Sequence, residues 1–222
     1  MRVLFLNTGR RLIDCDELLR LGREPDVVIL AELTQGNQRA YEKGLEGRGY
    51  VHRSRSTLHS RKRHVRLYSK RALESDERFT KNGNKLKNNW LWCRISGVLI
   101  SGIHMPTKDM KKRPFKHLQK WMKEPADKRT LMIGDFNTDP TQDTTWGPQL
   151  TEWVNDFGWR NLWDKVPGGK KAYTFRGTRK SDKPRRIDHA FAGKALKRAR
   201  LIHLPAFRLN GLSDHSGLLV IL

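Results

Sequence analysis

Apolar residues in this chain come in short runs divided by polar and charged stretches, and each run carries its own period. Arg2 to Leu6 has the pattern of a buried strand ending at Asn7, with Gly9 opening a turn. Asp14 and Glu17 have capping-box spacing, which predicts a helix to about Leu21 that Gly22 and Pro25 stop. Asp26 to Ala31 is continuously apolar after its first residue, as in a strand covered on both faces, and it ends on Glu32. Asn37 to Glu46 reads as a helix capped by Asn37. Val65 to Tyr68 alternates like a strand, and Trp90–Ile95 with Val98–Ile103 form a hairpin pattern around Ser96-Gly97. Pro114 predicts a helix to about Lys123, and Pro148 another through Phe157 that Gly158 breaks. Short strands follow at Thr130–Ile133, Tyr173–Phe175, Arg185–Phe191 and Leu218–Leu222. Helices between strands, plus hairpins, predict one α/β domain over residues 1–222 with more than one sheet.

Composition adds a partner to this picture. Lys and Arg number 45 against 23 Asp and Glu, a formal charge of +22. Self-repulsion on that scale disfavours the compact chain, and a polyanion relieves it; nucleic acid leads and an anionic membrane surface comes second. The most basic region runs from His52 to Arg71 and holds no acid, which marks Arg61, Lys62 and Arg63 as a phosphate-tracking surface. Lys183, Arg185 and Arg186 form the next such cluster. The first apolar run is too short for a secretory signal and no window reaches transmembrane length, so an intracellular, cytoplasmic and monomeric protein is expected. Cys15 and Cys93 make neither a metal-binding spacing nor a disulfide framework.

The candidate chemistry lies where strands end. Thr130 to Ile133 runs into Gly134-Asp135-Phe136-Asn137, and in extended backbone Asp135 and Asn137 would project to one side. An anionic acceptor beside an amide suits a centre that activates a water and holds an anionic oxygen; the plainer reading is an Asx turn. Other strand ends deliver Asn7, Glu32, His104, Asp188, and Asp214 with His215. Asp188 sits among Ile187, Ala190 and Phe191, so it is expected to be buried and to need a donor.

With these residues in this order, the chain resembles the endonuclease/exonuclease/phosphatase superfamily. The resemblance rests on the first-strand Asn7, Ala31-Glu32, Gly102-Ile103-His104, Gly134-Asp135-Phe136-Asn137, Arg186-Ile187-Asp188-His189 and Ser213-Asp214-His215. It implies a four-layer sandwich, two mixed β-sheets packed face to face with helices outside. It also implies Mg²⁺-dependent phosphoester hydrolysis without a covalent intermediate, Mn²⁺ being able to substitute. By position, Glu32 would hold the metal with Asn7 and Asp214 close to it. Asp135 would orient or deprotonate the attacking water and Asn137 would bind a phosphate oxygen. His215, oriented by Asp188, would contact the phosphate; the resemblance leaves open whether Asp135 or His215 is the base. His104 stands where the exonuclease III branch has a tyrosine. The glutamate that partners this histidine in the deoxyribonuclease I branch has no counterpart around Arg61 to Lys70, so His104 is expected only to bind a phosphate oxygen. The leading expectation is a nuclease for DNA or RNA. A phosphoesterase for a lipid or small molecule is the alternative, and a nucleic-acid binder without catalysis is the third reading.

Overall fold

A computed structural model describes residues 1–54, 64–78, 89–123, 129–169, 172–177 and 182–222. Arg61, Lys62 and Arg63 lie outside the described residues. One six-stranded sheet has the spatial order β11 (Arg200–Leu204), β12 (Gly217–Ile221), β1 (Arg2–Asn7), β2 (Val27–Leu33), β4 (His64–Ser69) and β3 (His52–Arg53). The other runs β5 (Ser75–Arg78), β6 (Trp90–Ile95), β7 (Val98–His104), β8 (Thr130–Asp135), β10 (Asp188–Ala192) and β9 (Arg160–Asn161). Each is mixed: β1 pairs parallel with β2, and β7 with β8, among antiparallel neighbours.

The alternation along each strand separates three apolar clusters. Val3, Phe5, Val27 and Ile29 of the first sheet meet Leu91, Ile100, Leu131 and Ile133 of the second in the central core. The outer face of the first sheet, with Leu4, Leu6, Val28 and Leu30, is covered by helices α1 (Cys15–Leu21) and α2 (Gln35–Glu46). The outer face of the second, with Trp90, Ile103 and Met132, is covered by α3 (Lys112–Met122) and α4 (Gly147–Asn155). The result is the expected helix–sheet–sheet–helix sandwich. A short helix, α5 (Ala206–Leu209), precedes the last strand.

Local chemistry accounts for most boundaries. The Asp14 carboxylate accepts from the amides of Asp16 and Glu17 and starts α1 as the spacing predicted. Ser96 and Gly97 both take positive φ (50° and 69°), as a two-residue hairpin turn requires. The start of α2 differs from the expectation at Asn37, because the Thr34 hydroxyl accepts from the Asn37 amide and the helix begins at Gln35. Asn37 instead donates to the Arg10 carbonyl at 2.6 Å. The strand predicted from Arg185 begins only at Asp188. The Thr174 hydroxyl takes the amides of Ile187 and Asp188 and displaces a ladder partner there. Tyr173–Phe175 correspondingly contributes only two isolated bridges at Phe175, to Arg185 and to His215.

Candidate active site

Register places the candidate residues along one edge of the two sheets. His104 pairs with Asp135 across β7 and β8, and Asp135 with Asp188 across β8 and β10, so three polar residues form one row across adjacent strands. On the facing sheet Asn7 ends β1 and Glu32 lies near the end of β2. Glu32 reaches the site through a bulge. The pairing of β2 with β4 shifts between Leu30 and Leu33, and Glu32 takes φ 58°. Leu30 and Leu33 both pack on the helix side, which strict alternation would not allow. The bulge absorbs the extra residue and turns Glu32, otherwise a helix-facing position, toward the site.

The loop after β8 departs from the extended geometry anticipated for Asp135 and Asn137. Asn137 has φ 51°, and its amide N–H donates to Asp135 Oδ1 at 2.7 Å, so the two residues meet through an Asx turn. Asn137 Nδ2 donates to the Met105 carbonyl at 2.6 Å and lies 3.5 Å from Asp135 Oδ2. Asn7 Nδ2 donates to Asp135 Oδ2 at 2.9 Å and also serves Glu32, while Asn7 Oδ1 accepts from the Gly9 amide. Asn7 thus presents amide hydrogens to the carboxylates and its oxygen to the backbone.

Asp188 and His215, far apart in sequence, meet at the inner end of the site. His215 Nδ1 lies 2.9 Å from Asp188 Oδ2, with Asp188 fully buried. His215 Nε2 faces Asp135 Oδ2 at 3.9 Å. Burial alone would lower the His215 pKa, but the Asp188 carboxylate overrides it and holds the imidazole up at about 9. Asp135 is raised to about 7, by burial first and by the Asp188 charge second. Glu32 is raised too, through burial, against the hydrogen bond from Asn7. His104 goes the other way, lowered to about 4 by burial and by the His215 charge. Its Nε2 lies 3.5 Å from Glu32 Oε1 and 3.7 Å from Asp135 Oδ2, and its buried Nδ1 has no hydrogen-bond partner among the described residues. The side chain is therefore a neutral imidazole at pH 7.

The charge balance asks for a cation. Glu32, Asp135, Asp188 and half-buried Asp214 share this edge with His215, and Arg10 approaches Glu32 at 3.7 Å from the rim. An anionic phosphate entering this set is repelled unless a hard cation intervenes, and carboxylate oxygens are the ligands such a cation takes. Asp135, Asp188 and His215 offer ligand atoms within 4.8 Å of one another, but the Asp188–His215 hydrogen bond already engages two of these groups. That leaves Glu32, whose side chain is 14% exposed, and half-buried Asp214 as the carboxylates that a metal can take. The donor set fits a divalent ion.

Four supporting residues complete the site, and of these only Ser213, in the Ser213-Asp214-His215 run, lay in a stretch that the sequence marked. Ser213 Oγ donates to the Asn7 carbonyl at 2.6 Å and accepts from the His215 amide, tying β1 to the loop before β12. Thr174 holds the Asp188 amide. Asp139 accepts from the Arg186 amide and from Thr141, and buried Lys111 donates to the Asn137 carbonyl and to Thr138 Oγ1. Of the basic cluster near residue 185, Arg185 is exposed and stands over the Phe175 ring. Arg186 turns inward, over Trp163, and donates to the Gly169 carbonyl. Trp146 packs on Phe115 with ring centroids 4.8 Å apart.

Comparison with known proteins identifies the fold and the family. The fold superposes on a 3′-5′ exonuclease (NExo) from Neisseria meningitidis with TM-score 0.80 and 17% identity, covering 100% of this chain and 99% of the other. An AP endonuclease from Archaeoglobus fulgidus gives TM-score 0.82 and 17% identity, covering 100% and 98%. A 3′ phosphatase NExo from Neisseria bound to a product DNA hairpin gives 0.74 and 17%, with the same coverage of 100% and 98%. No curated protein matches the sequence. Residues 6–215, from the strand that carries Asn7 to His215 itself, match the Endonuclease/Exonuclease/phosphatase family, and the chain belongs to that family.

Proposed function

We propose that this protein is a divalent-metal-dependent nuclease that hydrolyses phosphodiester bonds of nucleic acid, with Mg²⁺ as the metal. The observation that carries the reading is the meeting of the Asp188–His215 pair, Asp135 and the bulge-turned Glu32 at one sheet edge. Glu32 and Asp214 would hold the metal, with Asn7 beside them. The ion, when bound, supplies Lewis-acid polarisation of the phosphate and its leaving oxygen.

The chain's own groups divide the proton work. His215, kept protonated by Asp188, points a fixed Nε2–H donor at the oxygens on which charge grows. That leaves Asp135, poised near neutrality and flanked by the Asn7 and Asn137 donors, to take the proton of the attacking water. Asn137 commits one amide hydrogen to Met105 and has a second, only loosely held, for a phosphate oxygen. Neutral His104 can donate one hydrogen bond to phosphate but has no proton to give a leaving group at pH 7. The formal charge of +22 and the exposed Arg185, which stands over Phe175 next to His215, support a polyanionic substrate over a small phosphoester. The likeness to a fold solved with a DNA hairpin points the same way.

The test is an assay on plasmid, single-stranded DNA, RNA and a phosphorylated lipid, each with Mg²⁺ and with EDTA. Cleavage of a nucleic acid that EDTA abolishes and Glu32→Gln lowers by orders of magnitude is the expected result. Hydrolysis of the lipid alone would replace this reading with a lipid phosphoesterase. Binding without any hydrolysis would leave a nucleic-acid binder.

A further inference from the structure

The outward face of α3 is uniformly basic. Lys112, Arg113, Lys116 and Lys120 are exposed, and residues 111–123 contain no acid. At about 100° per residue the four fall within an arc of about 100°, opposite the buried Pro114, Phe115, Leu118 and Met122. None of the four forms an ion pair with an acid among the described residues.

This arrangement works against the helix that carries it. Cations in the first turn oppose the helix dipole, and no acid or side-chain cap offsets them there. Lys112, Lys116 and Lys120 are successive i,i+4 neighbours of like charge. Among the described residues no contact compensates either effect, and a polyanion laid along the helix would compensate both.

The stripe also starts in a significant place. Lys111, the residue before α3, is buried and donates to the Asn137 carbonyl, to Thr138 Oγ1 at 3.1 Å and to Asp143 Oδ2 at 3.2 Å. The basic face therefore begins against the loop that carries Asn137, just after Asp135, and runs away from it for about 12 Å. That is about the length of three to four base-pair steps.

We propose that the basic face of α3 holds the phosphates of double-stranded nucleic acid flanking the cleaved bond, an inference that rests on the nuclease reading above. A rigid row of cations suits a rigid phosphate ladder. Binding of single strands relies on rings exposed for stacking, and no aromatic side chain among the described residues is fully exposed. An anionic membrane is disfavoured because the apolar face of α3 is already buried and has nothing to insert.

The experiment is equilibrium binding of a 20-base-pair duplex in EDTA across a salt series, for the wild type and for the combined Lys112→Ala, Lys116→Ala and Lys120→Ala variant. Thermal melting checks folding. The expected result is a slope of log affinity against log salt that is shallower by about 2.7 in the variant, about 0.9 per phosphate contact, with an unreduced Tm. An unchanged slope in a wild type that binds steeply overturns the α3 surface and leaves the nuclease reading standing. A wild type with no salt-dependent affinity for any nucleic acid overturns the nuclease reading itself. Equal losses on a single-stranded 20-mer overturn the duplex assignment. A loss seen only on vesicles containing phosphatidylserine assigns the face to a membrane and overturns the proposal.

Discussion

At the scale of single residues, this site depends on side chains held where they are costly to hold. Glu32 adopts φ 58°, which a residue with a Cβ rarely takes, and its carboxylate is largely buried. Asp188 is fully buried, and its Oδ1 has no hydrogen-bond partner among the described residues. What stabilises Asp188 is the His215 imidazolium at 2.9 Å. If the two act as one unit, removing either removes the same fixed donor. Under the proposed nuclease function, Asp188→Asn and His215→Ala should then each lower turnover by orders of magnitude, with the double variant little worse than the poorer single. A double-mutant cycle on cleavage, with thermal melts to confirm folding, measures this. Losses that multiply would show two independent roles and remove the pairing from the mechanism.

Among elements, the β7–β8 pair decides whether the row of site residues exists. Those strands run parallel and bring His104 opposite Asp135, and the approach leaves no room at Gly134. A Cβ there would lie 2.1 Å from the Ile103 carbonyl oxygen, a backbone atom that moves only if the strands part. Gly134→Ala should therefore destabilise the fold by about 1–3 kcal/mol or more. It should also reduce activity beyond what the lost stability explains, because the His104–Asp135 register moves with it. Gly36 in α2 is the contrast: nothing lies within 4 Å of a Cβ built there. Gly36→Ala should stabilise by about 0.5–1 kcal/mol through helix propensity. Urea denaturation of both variants tests the pair. A Gly134→Ala protein with wild-type midpoint and activity would mean that the sheet tolerates the opening.

For the whole molecule, burial sets the acid limb of stability. His189 is fully buried on β10; its Nε2 bonds the Thr138 carbonyl, and burial lowers its pKa to about 4. His104 is lowered to about 4 for the same reason. An unfolded histidine binds its proton near pH 6.5, so between there and about pH 4 the unfolded chain gains protons that the native one refuses. The stabilisation from a buried neutral histidine is thus present above pH 6.5 and is lost as pH falls toward 4. His189→Gln, which keeps an amide donor for Thr138, should flatten this limb by about 1.4 kcal/mol per pH unit in urea titrations run in EDTA. A limb of unchanged steepness would show that His189 titrates normally in the native protein.

Short-range chemistry was legible in the sequence, and so was the identity of the polar residues at the strand ends. Apolar periods marked β1, β2, β6, β7, β8 and β12, since alternation depends only on neighbours along the chain. The Asp14 cap and the Ser96-Gly97 turn were readable for the same reason. The order of Asn7, Glu32, His104, Asp135, Asp188 and His215 pointed to the family before any residue had a position. Tertiary structure alone decided how these groups are aimed. The bulge that turns Glu32 inward is a mismatch between β2 and β4, and no property of β2 alone encodes it. The short strand β11, with its half-buried Ile202 and His203, is defined by its pairing with β12 rather than by a strong pattern of its own. Thr34 displaced Asn37 as a cap because Asn37 found the Arg10 carbonyl, a partner 27 residues away. Thr174 and Lys111 are ordinary residues in the sequence, and Ser213 is marked there only by its place in the Ser213-Asp214-His215 run; all three act because folding sets them against Asp188, the Asn137 loop and Asn7. The protonation states follow last, because desolvation and charge proximity belong to the packed molecule and not to any segment of it.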